Sequence, residues 1–182
     1  MLAGPAGVGK GSIVREILKT QTDFIHSVSA TTRAPRPGEV EGVDYHFVSK
    51  AQFEEMISAN QLIEYAVVHG SNYYGTPLAE ITNAQAAMKH LIMEIDLQGV
   101  RQLRERVADL LTIFVQPPSW EELERRLRGR GTETEEQIQR RLATAKAELA
   151  AAGEFDHQVI NMDLAETAQE VVNLVRNFER GK

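Results

Sequence analysis

Residues 4–12 read Gly-Pro-Ala-Gly-Val-Gly-Lys-Gly-Ser, and no other stretch constrains this chain as tightly. A loop this rich in glycine can turn successive backbone N–H groups into one concavity, because glycine enters φ/ψ regions that a Cβ forbids. Such a concavity holds an anion. Ile13, Val14, Ile17 and Leu18 follow at helical spacing, so the open N–H groups and positive dipole end of a first helical turn reinforce the attraction and favour phosphate. Gly4 to Lys10 fits the G-x-x-x-x-G-K of the nucleotide-binding P-loop, in which the lysine reaches the β- and γ-phosphates. The expected ATP contacts are Gly4, Ala6, Gly7, Val8, Gly9, Lys10, Gly11 and Ser12.

Two features depart from that template. Gly11 stands where Ser or Thr usually ligates Mg²⁺, and the hydroxyl comes one residue later at Ser12. A GKG[ST] variant also occurs among nucleoside monophosphate kinases. The buried strand that precedes a P-loop normally has about five or six residues, whereas only Met1, Leu2 and Ala3 stand here. The first strand therefore reads as truncated, with the expectation that residues precede Met1 in the natural protein or that an extended form is more stable.

A chain of 182 residues suits one substantial core. It has no cysteine, which removes disulfides, thiolate nucleophiles and cysteine-ligated zinc. Its five histidines show no metal-site spacing. The formal net charge of −6 argues against nonspecific nucleic-acid binding, which rewards a broad basic surface. No apolar run approaches the roughly 18 residues of a membrane helix, and no leader pattern opens the chain, so no membrane contact and a cytoplasmic location are expected. Any anion site must be local. Six of the fourteen arginines fall between Arg125 and Arg141, and Arg33 and Arg36 share a proline-containing loop.

Apolar runs alternate with helical periods, which predicts an α/β protein. Phe24 to Ser29, "YHFV", "LIEYAVV", "LIMEI" and "LLTIFV" read as strands, and helices are expected near Lys50, over "LAEITNAQAAMKH" and over "QGVRQLRERV". Ser119, Thr134 and Asp163 have the spacing of helix caps, which leaves "RGRGTET" as a connector. The expected architecture is one domain over 1–182: a core of 1–28, 78–118 and 142–182, a strand-rich insertion over 29–77 and an arginine-rich flap over 119–141.

Arginine's planar fork matches a phosphate bidentately, so the Arg33/Arg36 loop suits a second, monoester phosphate. "LIMEID" places Glu94 and Asp96 two residues apart on a strand, so both side chains are expected on the same face. Beside a P-loop such acids can hold Mg²⁺ or its waters. Ser12 and Asp96 are the candidate metal contacts, through water.

Ser29-x-Thr31-Thr32-Arg33-x-Pro35-Arg36-x-Gly38-Glu39, Gly42-Val43-Asp44-Tyr45-x-Phe47, Ile63-Glu64-Tyr65, Asn72-Tyr73-Tyr74-Gly75-Thr76, Glu94-Ile95-Asp96-x-Gln98-Gly99 and Arg128-Gly129-Arg130-Gly131-Thr132 occur in that order. Together with the P-loop they resemble the guanylate kinase family. The resemblance implies a P-loop kinase fold, a mainly parallel sheet flanked by helices, and transfer of the γ-phosphoryl of ATP to GMP with Mg²⁺. It assigns Arg33, Arg36, Tyr45 and Tyr74 to the GMP phosphate and Ser29, Glu64, Thr76 and Asp96 to guanine. Arg126, Arg130 and Arg141 match lid arginines that act with Lys10 in catalysis, and Asn161 matches a contact near the adenine of ATP. The residues make chemical sense in those roles. One carboxylate can accept the adjacent N1–H and N2–H of guanine, and adenine lacks both donors. Arg125, Arg128 and Arg140 read instead as helix-surface partners of nearby glutamates.

Two other readings are carried. Guanylate kinase-like domains in scaffold proteins bind phosphopeptides and typically have eroded P-loops, whereas Gly4, Gly9 and Lys10 are present here. A related kinase with another phosphate acceptor, such as a ribosyl phosphate, would not need Glu64 together with Ser29 and Thr76.

Overall fold

Strands buried on both faces need unbroken apolar runs, and the run Ile113, Phe114, Val115 leaves none of the three more than 1% exposed. It forms the middle strand of a parallel sheet. In the computed structural model the described residues are 1–68, 72–107, 109–129 and 134–181. In chain order the elements begin with β1 (Leu2–Ala3), α1 (Lys10–Thr20), β2 (Phe24–His26), β3 (Ala30–Thr31) and β4 (His46–Phe47). Next come α2 (Lys50–Ser58), β5 (Leu62–Val68), β6 (Asn72–Pro77), α3 (Leu78–Ala86), β7 (His90–Ile92) and α4 (Leu97–Arg106). The last are β8 (Ile113–Gln116), α5 (Trp120–Arg128), α6 (Glu135–Ala150), β9 (His157–Ile160) and α7 (Leu164–Arg180).

They divide into two compact units. The first combines Met1–Thr22 with Asp109–Lys182. Its sheet has the order β1-β8-β9, all parallel, with Leu2 opposite Ile113 and Val115 opposite Val159. Helix α1 packs on α7, burying Ile13, Val14 and Ile17 on one and Val171 and Val172 on the other. The second unit, Asp23–Ala108, holds the parallel pair β2-β7 and a mixed sheet of order β4-β3-β6-β5. Phe53 of α2, Ala30 and Leu62 form the centre of its strand-rich part, with the Tyr73 ring 5.2 Å from Phe53.

The three expected caps are in place: Ser119, Thr134 and Asp163 each accept backbone N–H bonds at the start of α5, α6 and α7. Ser49 completes a fourth, reciprocal cap with Gln52 on α2. Three expectations need correction. Strand β2 ends at His26, short of Ser29. β7 ends at Ile92, so Glu94 and Asp96 lie beyond it and do not share a strand face. Asp96 instead caps α4, accepting from Gly99 N at 2.8 Å. The reason is local: an Asp three residues before a glycine N–H satisfies an otherwise open helix donor and ends the extended run.

Candidate functional site

The glycine loop joins β1 to α1 in the first unit. Gly9, the N-cap of α1, has φ 104°, and Gly4 has φ 135°, both in the region where a side chain is strained. Space is closed as well. A Cβ on Gly4 would lie 2.3 Å from the Val115 carbonyl oxygen, and one on Gly9 would lie 2.4 Å from Asn161 Nδ2. Lys10 is the first residue of α1, and its ammonium donates to Gly4 O at 2.5 Å and Pro5 O at 3.3 Å, spanning the mouth of the loop. Ser12 Oγ accepts from Arg15 at 3.4 Å.

The back of the loop is held from two elements. Val8 O accepts from Asn161 Nδ2 at 2.8 Å and from Arg126 Nη1 at 3.2 Å. Arg126 also donates to Asn161 O at 3.3 Å and to Glu122 at 2.7 Å. Hydrogen bonds from Arg125 and Arg126 hold the Glu122 carboxyl down at about 2, so it is ionised throughout the neutral range.

In the second unit a buried carboxylate and a hydroxyl face each other across antiparallel β5 and β6. Thr76 Oγ1 donates to Glu64 Oε1 at 2.7 Å, and Glu64 is only 4% exposed. Burial pushes its carboxyl up to about 7. The Thr76 bond opposes that rise and the Asp96 charge adds to it. The other oxygen, Oε2, lies against Gly99, where a Cβ would come within 2.5 Å of it. A carboxylate so enclosed is suited to a ligand with paired N–H donors.

Further along the same unit Arg33 Nε donates to the Tyr74 hydroxyl at 3.1 Å, and the guanidinium carbon stands 5.3 Å from the centre of the Tyr45 ring. The Tyr45 and Tyr74 rings meet edge to face at 5.9 Å. Burial, the Glu94 charge and Tyr74 push the Tyr45 hydroxyl up to about 12, so it stays a proton donor.

A family profile for guanylate kinase matches residues 1–178. The guanylate kinase of Leifsonia xyli subsp. xyli is 53% identical over 175 residues, covering 96% of this chain and 69% of that protein. That of Nocardia farcinica is 47% identical, covering 96% and 91%. The crystal structure of guanylate kinase from Anaplasma phagocytophilum superposes with a TM-score of 0.80 at 31% identity, over 97% of this chain and 84% of that one.

The chain belongs to the guanylate kinase family.

Its fold is accordingly that of the P-loop kinases. Of the residues matched to this family's GMP phosphate contacts, Arg33, Tyr45 and Tyr74 are gathered in one cluster. Arg36 sits on the adjoining turn, its N–H bonded to Glu39 at 2.7 Å. Of those matched to guanine, Glu64 and Thr76 are bonded to one another, and Asp96 is close enough for its charge to act on Glu64. Ser29 is half-buried just before β3, its carbonyl accepting from His46 N at 2.9 Å. Arg126 and Asn161 are brought together on the loop, and Arg141 lies half-buried on α6. Arg130 and most of the "RGRGTET" connector lie outside the described residues. Arg125, Arg128 and Arg140 pair with Glu122, Glu124 with Glu135, and Glu136 respectively, as helix-surface partners should. Glu94 pairs with His26 at 3.3 Å, and among the described residues no three His, Asp or Glu side chains gather as a metal site.

Two residues of the site stand in the family motifs but were given no role from the sequence. Glu39 binds both Arg33 terminal nitrogens at 2.9 Å. The signal for that role was a carboxylate one turn past Arg36, in the stretch Pro37-Gly38-Glu39. Gly99 makes room for the Glu64 carboxylate, a role no local pattern reports, since the contact joins residues 35 apart.

Proposed function

We propose that the chain transfers the γ-phosphoryl group of ATP to GMP or dGMP, giving ADP and GDP, in purine nucleotide metabolism in the cytoplasm. The observation that carries the acceptor assignment is the buried Glu64 carboxylate, bonded by Thr76 on one oxygen and backed by Gly99 at the other. It complements the N1–H and N2–H edge of guanine. A site built to bond a group rejects analogues lacking it by about 10⁴–10⁵ in favourable cases, so AMP is excluded by a carboxylate left unpaired. Ser29 and Asp96 complete the proposed guanine contacts, and Arg33, Arg36, Tyr45 and Tyr74 take the phosphate.

In the proposed reaction a phosphate oxygen of GMP attacks the γ-phosphorus. The bond to the β,γ-bridging oxygen breaks, and its electron pair leaves with ADP. The protein supplies position and positive charge more than covalent chemistry. Lys10, already at the loop mouth, moves its ammonium from loop carbonyls to the β- and γ-phosphates. Arg126, Arg130 and Arg141 contribute charge on a lid over 119–141 that excludes water. Asn161 offers a polar edge to adenine. Mg²⁺, when bound with ATP, neutralises charge on the β- and γ-oxygens. Gly11 has no donor for it, so the proposed contacts are the Ser12 hydroxyl and Asp96 through water. Asp96 Oδ1 already caps α4, which leaves Oδ2 for these contacts.

The test is a coupled assay of ADP release with ATP and GMP, dGMP, AMP, CMP or UMP. Turnover with GMP and dGMP is expected. Lys10→Ala is expected to lower kcat by about 10²–10³, the usual cost of one transition-state donor. Turnover with AMP and none with GMP overturns the acceptor assignment, and no turnover with any acceptor points to a phosphopeptide-binding module.

A further inference from the structure

The Arg33 guanidinium has five N–H groups, and four are already engaged. Nη1 donates to Ala34 O at 2.7 Å and to Glu39 Oε2 at 2.9 Å. Nη2 donates to Glu39 Oε1 at 2.9 Å, and Nε donates to Tyr74 at 3.1 Å. Glu39 thus holds the terminal edge in a two-bond fork, the strongest geometry the pair can adopt. One N–H of Nη2, on the Nε side of the group, makes no bond among the described residues. The Tyr74 oxygen accepts from Nε, so its own hydrogen is directed away from the guanidinium. These two donors are neighbours on one edge.

Glu39 also organises the second arginine. Its Oε2 accepts from Arg36 N at 2.7 Å, and its own N–H donates to Arg36 O at 3.0 Å. Gly38, with φ 86°, makes the turn between them. The side chains of Arg33 and Glu39 are 13% and 17% exposed, sheltered enough for the geometry to persist.

We propose that Glu39 is a positioning residue for acceptor-phosphate binding: by occupying the terminal edge of Arg33 and the backbone of Arg36, it leaves the remaining Nη2 N–H of Arg33 and the Tyr74 hydroxyl to receive one phosphate together. This rests on the GMP reading above. The rival is a stand-in carboxylate that the phosphate must displace before Arg33 can bind it. The bond to Arg36 N disfavours that rival, since it ties Glu39 into the loop whether or not the arginine fork is engaged.

The two accounts predict opposite signs. With Glu39 as positioner, Glu39→Gln and Glu39→Ala raise KM for GMP by about tenfold, the scale of one hydrogen bond to a charged group. KM for ATP and the affinity for guanosine, which carries no phosphate, stay within about twofold. Tyr74→Phe combined with Glu39→Ala costs less than the product of the two single effects, because both act through one guanidinium. A lower KM for GMP in either Glu39 variant would make Glu39 a competitor and overturn the proposal. So would an unchanged KM, or a loss of guanosine affinity equal to that of GMP, which marks general damage to the fold. If the unmutated chain itself fails to turn over GMP, the acceptor assignment falls, and that result is separable from failure of the variants alone.

Discussion

Glu64 is held between burial, which favours its neutral form, and the Thr76 hydroxyl, which favours its charge. With the carboxyl raised to about 7 from 4.5, the folded state keeps its proton longer than the unfolded chain. Its contribution to stability is therefore greatest at low pH and is lost as pH rises from about 4.5 through 7. Guanine binding runs the other way, because N1–H and N2–H need the carboxylate. At pH 6 about one site in ten is ionised, so guanosine affinity is expected to be about tenfold weaker than its plateau above pH 8. Guanosine is the better probe, since a phosphate monoester titrates near pH 6 itself. A flat affinity between pH 6 and 8 would show that the Glu64 carboxyl is ionised throughout that range and is not raised to about 7. Gly99→Ala is a second check. Helix propensity favours alanine by about 1 kcal/mol, yet the new methyl would stand 2.3 Å from Ile95 Cγ2 and 2.5 Å from Glu64 Oε2. KM for GMP is expected to rise by about tenfold with KM for ATP unchanged; an unaltered KM for GMP would mean that the carboxylate has room to move. By alternation alone Glu64 reads as a solvent-facing strand residue. It is buried because the β5–β6 register shifts between Leu62 and Glu64, so that Leu62, Ile63 and Glu64 are buried in succession.

Among the elements, helices with a polar cap and an apolar stripe were readable from the chain: α5, α6 and α7 start where Ser119, Thr134 and Asp163 place them, and α2 starts at Lys50 as expected, although its Ser49 cap was not read. Ser119→Ala and Thr134→Ala are each expected to cost about 1 kcal/mol, or a melting temperature lower by about 2–4 °C for a chain of this size. Loss of less than about 1 °C in both would mean that those helix starts are held by packing alone. Of the two-residue strands, β4 falls inside the expected "YHFV" strand, whereas β3 was not readable. Ala30–Thr31 exists through pairing with β4 and with β6, the latter more than forty residues away, which no local pattern reports. The carboxylates of "LIMEID" were misplaced for the opposite reason. A capping interaction at Asp96 overrode a run that looked extended.

Taken as a whole, the chain builds its first unit from both ends and its second from the segment between them. The family match runs through nearly all of it, from residue 1 to 178. If each nucleotide binds the folded state only, GMP at a hundred times its dissociation constant adds about 2.7 kcal/mol, raising the melting temperature by roughly 5–10 °C. ATP with Mg²⁺ is expected to act likewise, and Lys10→Ala should blunt the ATP response while sparing that to GMP. An equal loss of both would disconnect the loop from the donor nucleotide. The packing around that loop also bears on how a lineage of such enzymes decays. Gly4 and Gly9 are pressed against Val115 and Asn161 by the protein's own interior, so selection for a foldable chain preserves them after selection for turnover has gone. Lys10 is held differently, through hydrogen bonds from the end of its side chain to Gly4 O and Pro5 O, and its Cβ position closes no packed space. A descendant that abandoned phosphoryl transfer would shed its lysine first and keep its glycines, which makes the ammonium, and not the glycine spacing, the residue to inspect when sorting working kinases from retired ones.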